Sequence, residues 1–124
     1  MMSWVVELAD EFVAEFLALE RPVRIELAAH AELLKQFGPH LRRPRVDTLN
    51  GSRYANMKEL RFTIDRQAWR VAFAFDPRRR AILLCAGSKS GKSQGRFYRA
   101  LIRKADSRFA AHLKRLPTEG EDQD

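Results

Sequence analysis

An α+β domain, with a small antiparallel-rich sheet backed by helices, is the fold class this sequence predicts. Three observations carry it. Residues 57–75 hold two runs of strict apolar–polar alternation across a short polar turn, residues 9–37 repeat apolar side chains at helical spacing on both sides of Pro22, and helical spacing returns from about 96. The expected order is β-α-α-β-β-β-α, in one domain over 1–116 followed by an acidic tail over 117–124.

Residues 3–8 (SWVVEL) are short and β-branched enough for an opening strand. Phe12, Phe16 and Leu19 then recur at helical spacing over 9–19. Pro22 interrupts this helix and suits the first turn of the next, which is expected to reach about residue 37 with Leu27, Ala31 and Leu34 inward. Gly38 and Pro39 end it as a C-cap residue and a helix breaker. The connector 40–56 has turn chemistry at Asn50 and Gly51, carries Arg42, Arg43, Arg45 and Arg53, and is the least regular stretch.

The alternation over 57–75 reads as a β-hairpin. Leu60, Phe62 and Ile64 share one face of its first strand, and Trp69, Val71, Phe73 and Phe75 share one face of its second. The other faces carry Glu59, Arg61 and Thr63, then Arg70, Ala72 and Ala74, so that two arginines and a glutamate are expected on an open side among small residues that leave room for a ligand. Asp76 and Pro77 begin a second turn. Residues 80–86 form an apolar run without clear alternation, as a central strand covered on both sides would. A polar loop, 87–95, leads to a last helix over about 96–116. Its inner stripe is expected to hold Tyr98, Leu101, Ala105, Phe109, His112 or Leu113, and Leu116, with Arg96, Arg99, Arg103 and Arg108 opposite. The tail after Pro117 (TEGEDQD) lacks large apolar residues and reads as disordered.

At 124 residues the chain is long enough for one self-sufficient core. Its single cysteine, Cys85, excludes an internal disulfide framework and any cysteine-based zinc site within one chain, and its place in AILLCA marks it as a small buried hydrophobe. The first twenty residues contain Glu7, Asp10, Glu11, Glu15 and Glu20 without a basic start, so no signal peptide is read; no apolar run approaches a membrane span, and a cytoplasmic location is expected. Charge is distributed unevenly. Residues 1–39 carry −4, 40–115 carry +15 and 116–124 carry −4. A middle this basic points to a polyanion such as nucleic acid.

The run 87–93 (GSKSGKS) resembles a phosphate-binding P-loop, but only three residues separate Gly87 from Gly91 where four are needed, and no βαβ crossover accompanies it. Backbone N–H groups near a helix start, with Lys89 and Lys92, would still suit an anion. His30, His40 and His112 are not at ligand spacing, and each reads as solvated or as a satisfied, partly buried residue. The ordinary role of strand arginines is a solvated face paired with an acid such as Glu59. Arg61 and Arg70 gain weight by sharing a face beside a lysine-rich loop and a helix bearing further arginines. Tyr98 fits either the helix core stripe or a hydroxyl that reaches the loop.

LNGSRYANMKELRF (49–62), WRVAFAFD (69–76), AILLCAGSK (81–89) and FYRALIRKADSRF (97–109) together resemble the RelE/ParE toxin superfamily of bacterial toxin–antitoxin modules, in its phage Gp49-like, HigB-type branch, over roughly residues 3–115. The resemblance implies a RelE-like fold and a ribosome-dependent endoribonuclease that cuts mRNA by attack of the RNA 2′-hydroxyl on the neighbouring phosphate, with no metal or other cofactor. It also implies a cognate helix-turn-helix antitoxin. By the same resemblance Arg70 stabilises transition-state charge, Lys89 is acid or clamp, and Tyr98 stacks on a base or orients the nucleophile. Arg61 is a further basic strand position. Arg61, Lys92, Arg96, Arg99 and Arg103 are the expected RNA contacts. Glu59 stands where RelE-type enzymes carry lysine, and is either the general base or the partner that holds Arg61 or Arg70. Two other classes compete: a ParE-like toxin that inhibits DNA gyrase, and a non-catalytic RNA- or DNA-binding module. The acidic residues Glu119 to Asp124 could shield the basic face in cis.

Overall fold

A computed structural model of the chain describes residues 3–117. The expected tail, TEGEDQD, lies outside the described residues. β1 (Val6–Leu8) is followed by α1 (Asp10–Ala18) and α2 (Arg21–Phe37), then β2 (Val46–Thr48), β3 (Lys58–Ile64), β4 (Gln67–Phe75), β5 (Ala81–Ser88) and α3 (Gln94–Arg115). The strands form one sheet in the order β1-β5-β4-β3-β2, with β1 parallel to β5 and every other pair antiparallel. Pro22 does sit in the first turn of α2, and Gly38 caps its end. Gly38 has φ +52°, and a Cβ there would lie 2.4 Å from Nε1 of Trp4, so both backbone and space demand glycine.

β2 is a fifth strand inside the connector expected to be irregular. Its three residues give alternation too little length to register, and pairing Val46, Asp47 and Thr48 with Leu60, Glu59 and Lys58 is what makes it a strand. The hairpin matches the predicted alternation. Asp65 and Arg66, at φ 48° and 68°, make the tight turn, and the register sets Arg61 opposite Arg70, Leu60 opposite Val71 and Phe62 opposite Trp69.

One face, with Leu60, Phe62, Val71, Phe73 and Leu83, packs against the α1–α2 pair: His30 lies against Phe62 at 5.2 Å, and Leu83 shares the core with Leu27 of α2. His30 bonds the Glu26 carbonyl at 3.0 Å through Nδ1 and is a satisfied core histidine. The opposite face differs from the open surface expected of it. α3 lies across it, and Ala72 and Ala74 are fully buried. Small side chains there admit a helix rather than a ligand, and one end of that face stays open to a cleft. β5 is covered on both sides as expected; Ala81 to Cys85 are all buried, and a bulge at Leu84 breaks their alternation.

The inner stripe of α3 is Phe97, Leu101, Ala105 and Phe109, which moves Tyr98 to its margin. Arg108 is not on the solvent side: it donates to the Leu84 carbonyl and pairs with Glu15 of α1. Cys85 Sγ lies 3.6 Å from the Leu101 carbonyl, and burial pushes its thiol up to about 12. Iodoacetamide at pH 8 should therefore leave the folded chain unlabelled and label it fully in denaturant, as mass spectrometry would show.

Candidate active site

At the open end of the α3-covered face, four elements bring charged side chains together. β3 supplies Glu59 and Arg61, two residues apart on one face, and β4 supplies Arg70 directly across from Arg61. Gly87, opposite Arg70 on β5, lets α3 come close: a Cβ there would stand 3.0 Å from the Phe97 ring. That approach sets Tyr98, the next residue, over the strands. Lys89 follows β5, anchored by its backbone N–H to the Ala68 carbonyl at 2.9 Å.

Tyr98 donates its hydroxyl to Glu59 Oε1 at 2.9 Å and accepts from Arg70 Nε at 3.3 Å. Arg70 Nε is also 3.6 Å from Glu59 Oε1, while its Nη1 donates to the Trp69 carbonyl at 2.9 Å. Glu59 and Arg70 are 4% and 7% exposed, so the pair is buried rather than presented to solvent. Glu59 Oε2 is 3.9 Å from Arg61 Nη1, and Arg61 is held in turn by Asp47 at 3.3 Å. Lys89 Nζ stands over the Tyr98 ring at 5.0 Å.

Burial dominates the electrostatics. It raises Glu59 above the usual carboxylate range against the opposing pull of the Tyr98 hydrogen bond, Arg70, Arg61 and Lys89. It lowers Lys89, helped by the nearby Arg70 charge and opposed by Glu59. It also raises Tyr98, which stays a protonated donor. The site therefore holds a carboxylate raised and an ammonium lowered from their ordinary values, a pairing suited to proton transfer.

A cleft of about 400 Å³ opens onto this cluster, lined by Asp47, Thr48, Leu49, Asn50, Glu59, Arg61, Lys89, Gln94 and Tyr98. Its far wall is β2 and the turn after it. Asp106 of α3 holds the chain just beyond that wall, accepting from the Ser52 hydroxyl and from the Arg53 N–H at 3.0 Å. Glu59, Arg61, Arg70, Lys89 and Tyr98 thus converge as the sequence suggested, and Tyr98 sends its hydroxyl to the site from the core margin. Lys92 and Arg96 line a different groove, beside β5, and Arg99 and Arg103 are exposed on α3 outside the cleft lining. Lys92 leans over Phe97 at 5.9 Å, so the two loop lysines diverge rather than share one anion. Asp47 lies on the strand that sequence alternation does not reveal. Only the Asn50–Gly51 turn signal marked that wall in the sequence.

The profile of the phage-derived Gp49-like protein family matches residues 14–110. The chain belongs to the Gp49-like family. Among curated proteins it is 46% identical over 96 residues to HigB2 of Mycobacterium tuberculosis H37Rv and 44% identical over 93 residues to HigB3 of the same organism, both provisionally named toxins. Those matches cover 77% and 75% of this chain, and 47% and 79% of HigB2 and HigB3, so this Gp49-like chain matches about half the length of HigB2. A double mutant of Escherichia coli toxin RelE in the free state superposes with a TM-score of 0.56 at 13% identity, over 83% of this chain and 97% of that one. The Gp49-like chain has the RelE fold. No helix among its described residues is long and apolar enough to cross a membrane.

Proposed function

We propose that this Gp49-like chain is the toxin of a type II toxin–antitoxin module and cleaves mRNA on the ribosome by attack of a 2′-hydroxyl on the adjacent phosphate. The observation that carries the reading is the buried Glu59–Tyr98–Arg70 cluster opening into a cleft edged by Arg61 and Lys89. Glu59 takes the 2′-hydroxyl proton. The 2′-oxygen bonds to phosphorus, the bond to the 5′-oxygen breaks, and that oxygen leaves with a proton from the Lys89 ammonium. The products are a 2′,3′-cyclic phosphate and a 5′-hydroxyl end. Arg70 and Arg61 meet the charge that builds on the non-bridging oxygens, and Tyr98 fixes Glu59 and offers its ring to a base. Cytoplasmic ribosomes and mRNA are then the partners, with a helix-turn-helix antitoxin as restraint.

The raised Glu59 implies a specific pH response. A general base works only when ionised, so kcat/KM should fall with acid through a midpoint above 4.5, the ordinary glutamate value. In Glu59→Gln the residual rate should no longer show that limb.

Mapping 5′ RNA ends after brief induction tests the reaction. New ends inside translated frames are expected, with growth arrest. Gyrase-linked DNA breaks without new ends would identify a gyrase poison instead, and salt-sensitive RNA binding without cleavage would identify a binding module.

A further inference from the structure

β5 outruns its neighbour. β1 pairs with it only from Ala81 to Leu83, whereas β5 continues to Ser88. The hydrogen bond from the Lys89 N–H to the Ala68 carbonyl sets the alternation of the β4–β5 ladder. With Ala68 facing Lys89 and Arg70 facing Gly87 as hydrogen-bonded pairs, Ala86 and Val71 form a non-bonded pair, so the N–H and C=O of Ala86 point away from β4. On the same outer edge the Leu84 carbonyl is already taken by Arg108 Nη1, at 2.9 Å. No described strand lies beside Ala86.

Next to this edge runs a groove of about 340 Å³ whose floor is Cys85, Gly87, Phe97, Ala100 and Leu101. Lys92, Arg96 and Lys104 stand around it. An apolar floor, an outward-facing backbone donor and acceptor, and a ring of three cations describe one kind of guest. We infer that the free edge of β5 binds an extended acidic peptide segment of a partner protein, which adds as a short strand beside Ala86. The side chains on its groove-facing side are apolar over Ala100 and Leu101 and acidic where they meet Lys92, Arg96 and Lys104. The antitoxin reading suggests where such a segment comes from, but the surface does not depend on that reading or on mRNA cleavage. The TEGEDQD tail has the charge for this site and lacks the large apolar side chains for its floor.

A short fluorescein-labelled peptide with valine and glutamate in turn at its groove-facing positions and serine between them, titrated into the full chain, tests the surface by anisotropy. Its backbone N-methylated counterpart has the same charge and cannot pair as a strand; it should bind at least about tenfold more weakly, the loss of one or more hydrogen bonds. Ala86→Pro removes the outward donor while leaving the bonds to β4, and should weaken the peptide by a similar factor with an unchanged melting curve. If both peptides bind the native chain equally, charge alone holds them and the strand site is wrong. That comparison stands even if Ala86→Pro fails to fold. A dimer of the native chain that Ala86→Pro dissolves in sedimentation would instead make a second copy the occupant, and would overturn the proposal.

Discussion

On the proposed chemistry, Arg70→Ala should lower the rate of mRNA cleavage by about 10² to 10³-fold, the usual cost of removing a donor aimed at developing charge. Arg70 is also structural, since its Nε reaches Tyr98 and Glu59 and its Nη1 holds the Trp69 carbonyl. Taking away the cation leaves Glu59 buried without its main counter-charge, at a cost of about 3–5 kcal/mol. Cleavage on purified ribosomes must therefore be read beside a urea midpoint. Arg70→Lys separates the two roles: it keeps a charge near Glu59 but loses the planar fork. A folded Arg70→Lys with rate reduced and RNA binding intact supports transition-state stabilisation, whereas full activity of both variants would remove Arg70 from the chemistry.

Asp76→Ala should cost about 3 kcal/mol of stability without touching the cleft. The Asp76 side chain is wholly buried. Its Oδ1 accepts from the backbone N–H groups of Arg78 and Arg80, at 2.9 and 3.0 Å, and its Oδ2 meets Nε2 of His112 at 2.9 Å. One carboxylate therefore closes the β4–β5 turn, where Arg79 sits at φ 66°, and ties it to the last turns of α3. Alanine orphans three buried or half-buried groups at about 1 kcal/mol each. Thermal unfolding should drop by about 10 °C. Asp76→Asn keeps an oxygen for the two backbone donors and should lose less. Equal melting of Asp76→Ala and the native chain would show that the turn closes without its cap.

Neither the Asp76–His112 pair nor Asp47 could be read from spacing, because partners 36 and 12 residues apart are joined only by folding. Glu59 stands out by its position on the strand, yet alternation alone does not determine whether a polar face is wet. The expectation of an open, arginine-bearing sheet rested on Ala72 and Ala74 leaving space, and α3 fills that space.

Periodicity and local backbone chemistry make part of this molecule legible in its sequence. The hairpin and the shared face of Glu59, Arg61 and Arg70 follow from a two-residue repeat, the helices from their apolar spacing, and the breaks at Pro22 and Gly38 from backbone restriction. Tertiary structure decided what depends on which surfaces meet. It made a strand of Val46–Thr48 by pairing it with β3, and laid α3 over much of the arginine face. It buried Glu59 against Arg70 and Tyr98, and sent Lys92 and Arg96 to a separate groove from Lys89. The reason is physical: a side chain's direction is set by its own strand or helix, but its burial, and hence its charge state and partners, is set by whatever packs on top.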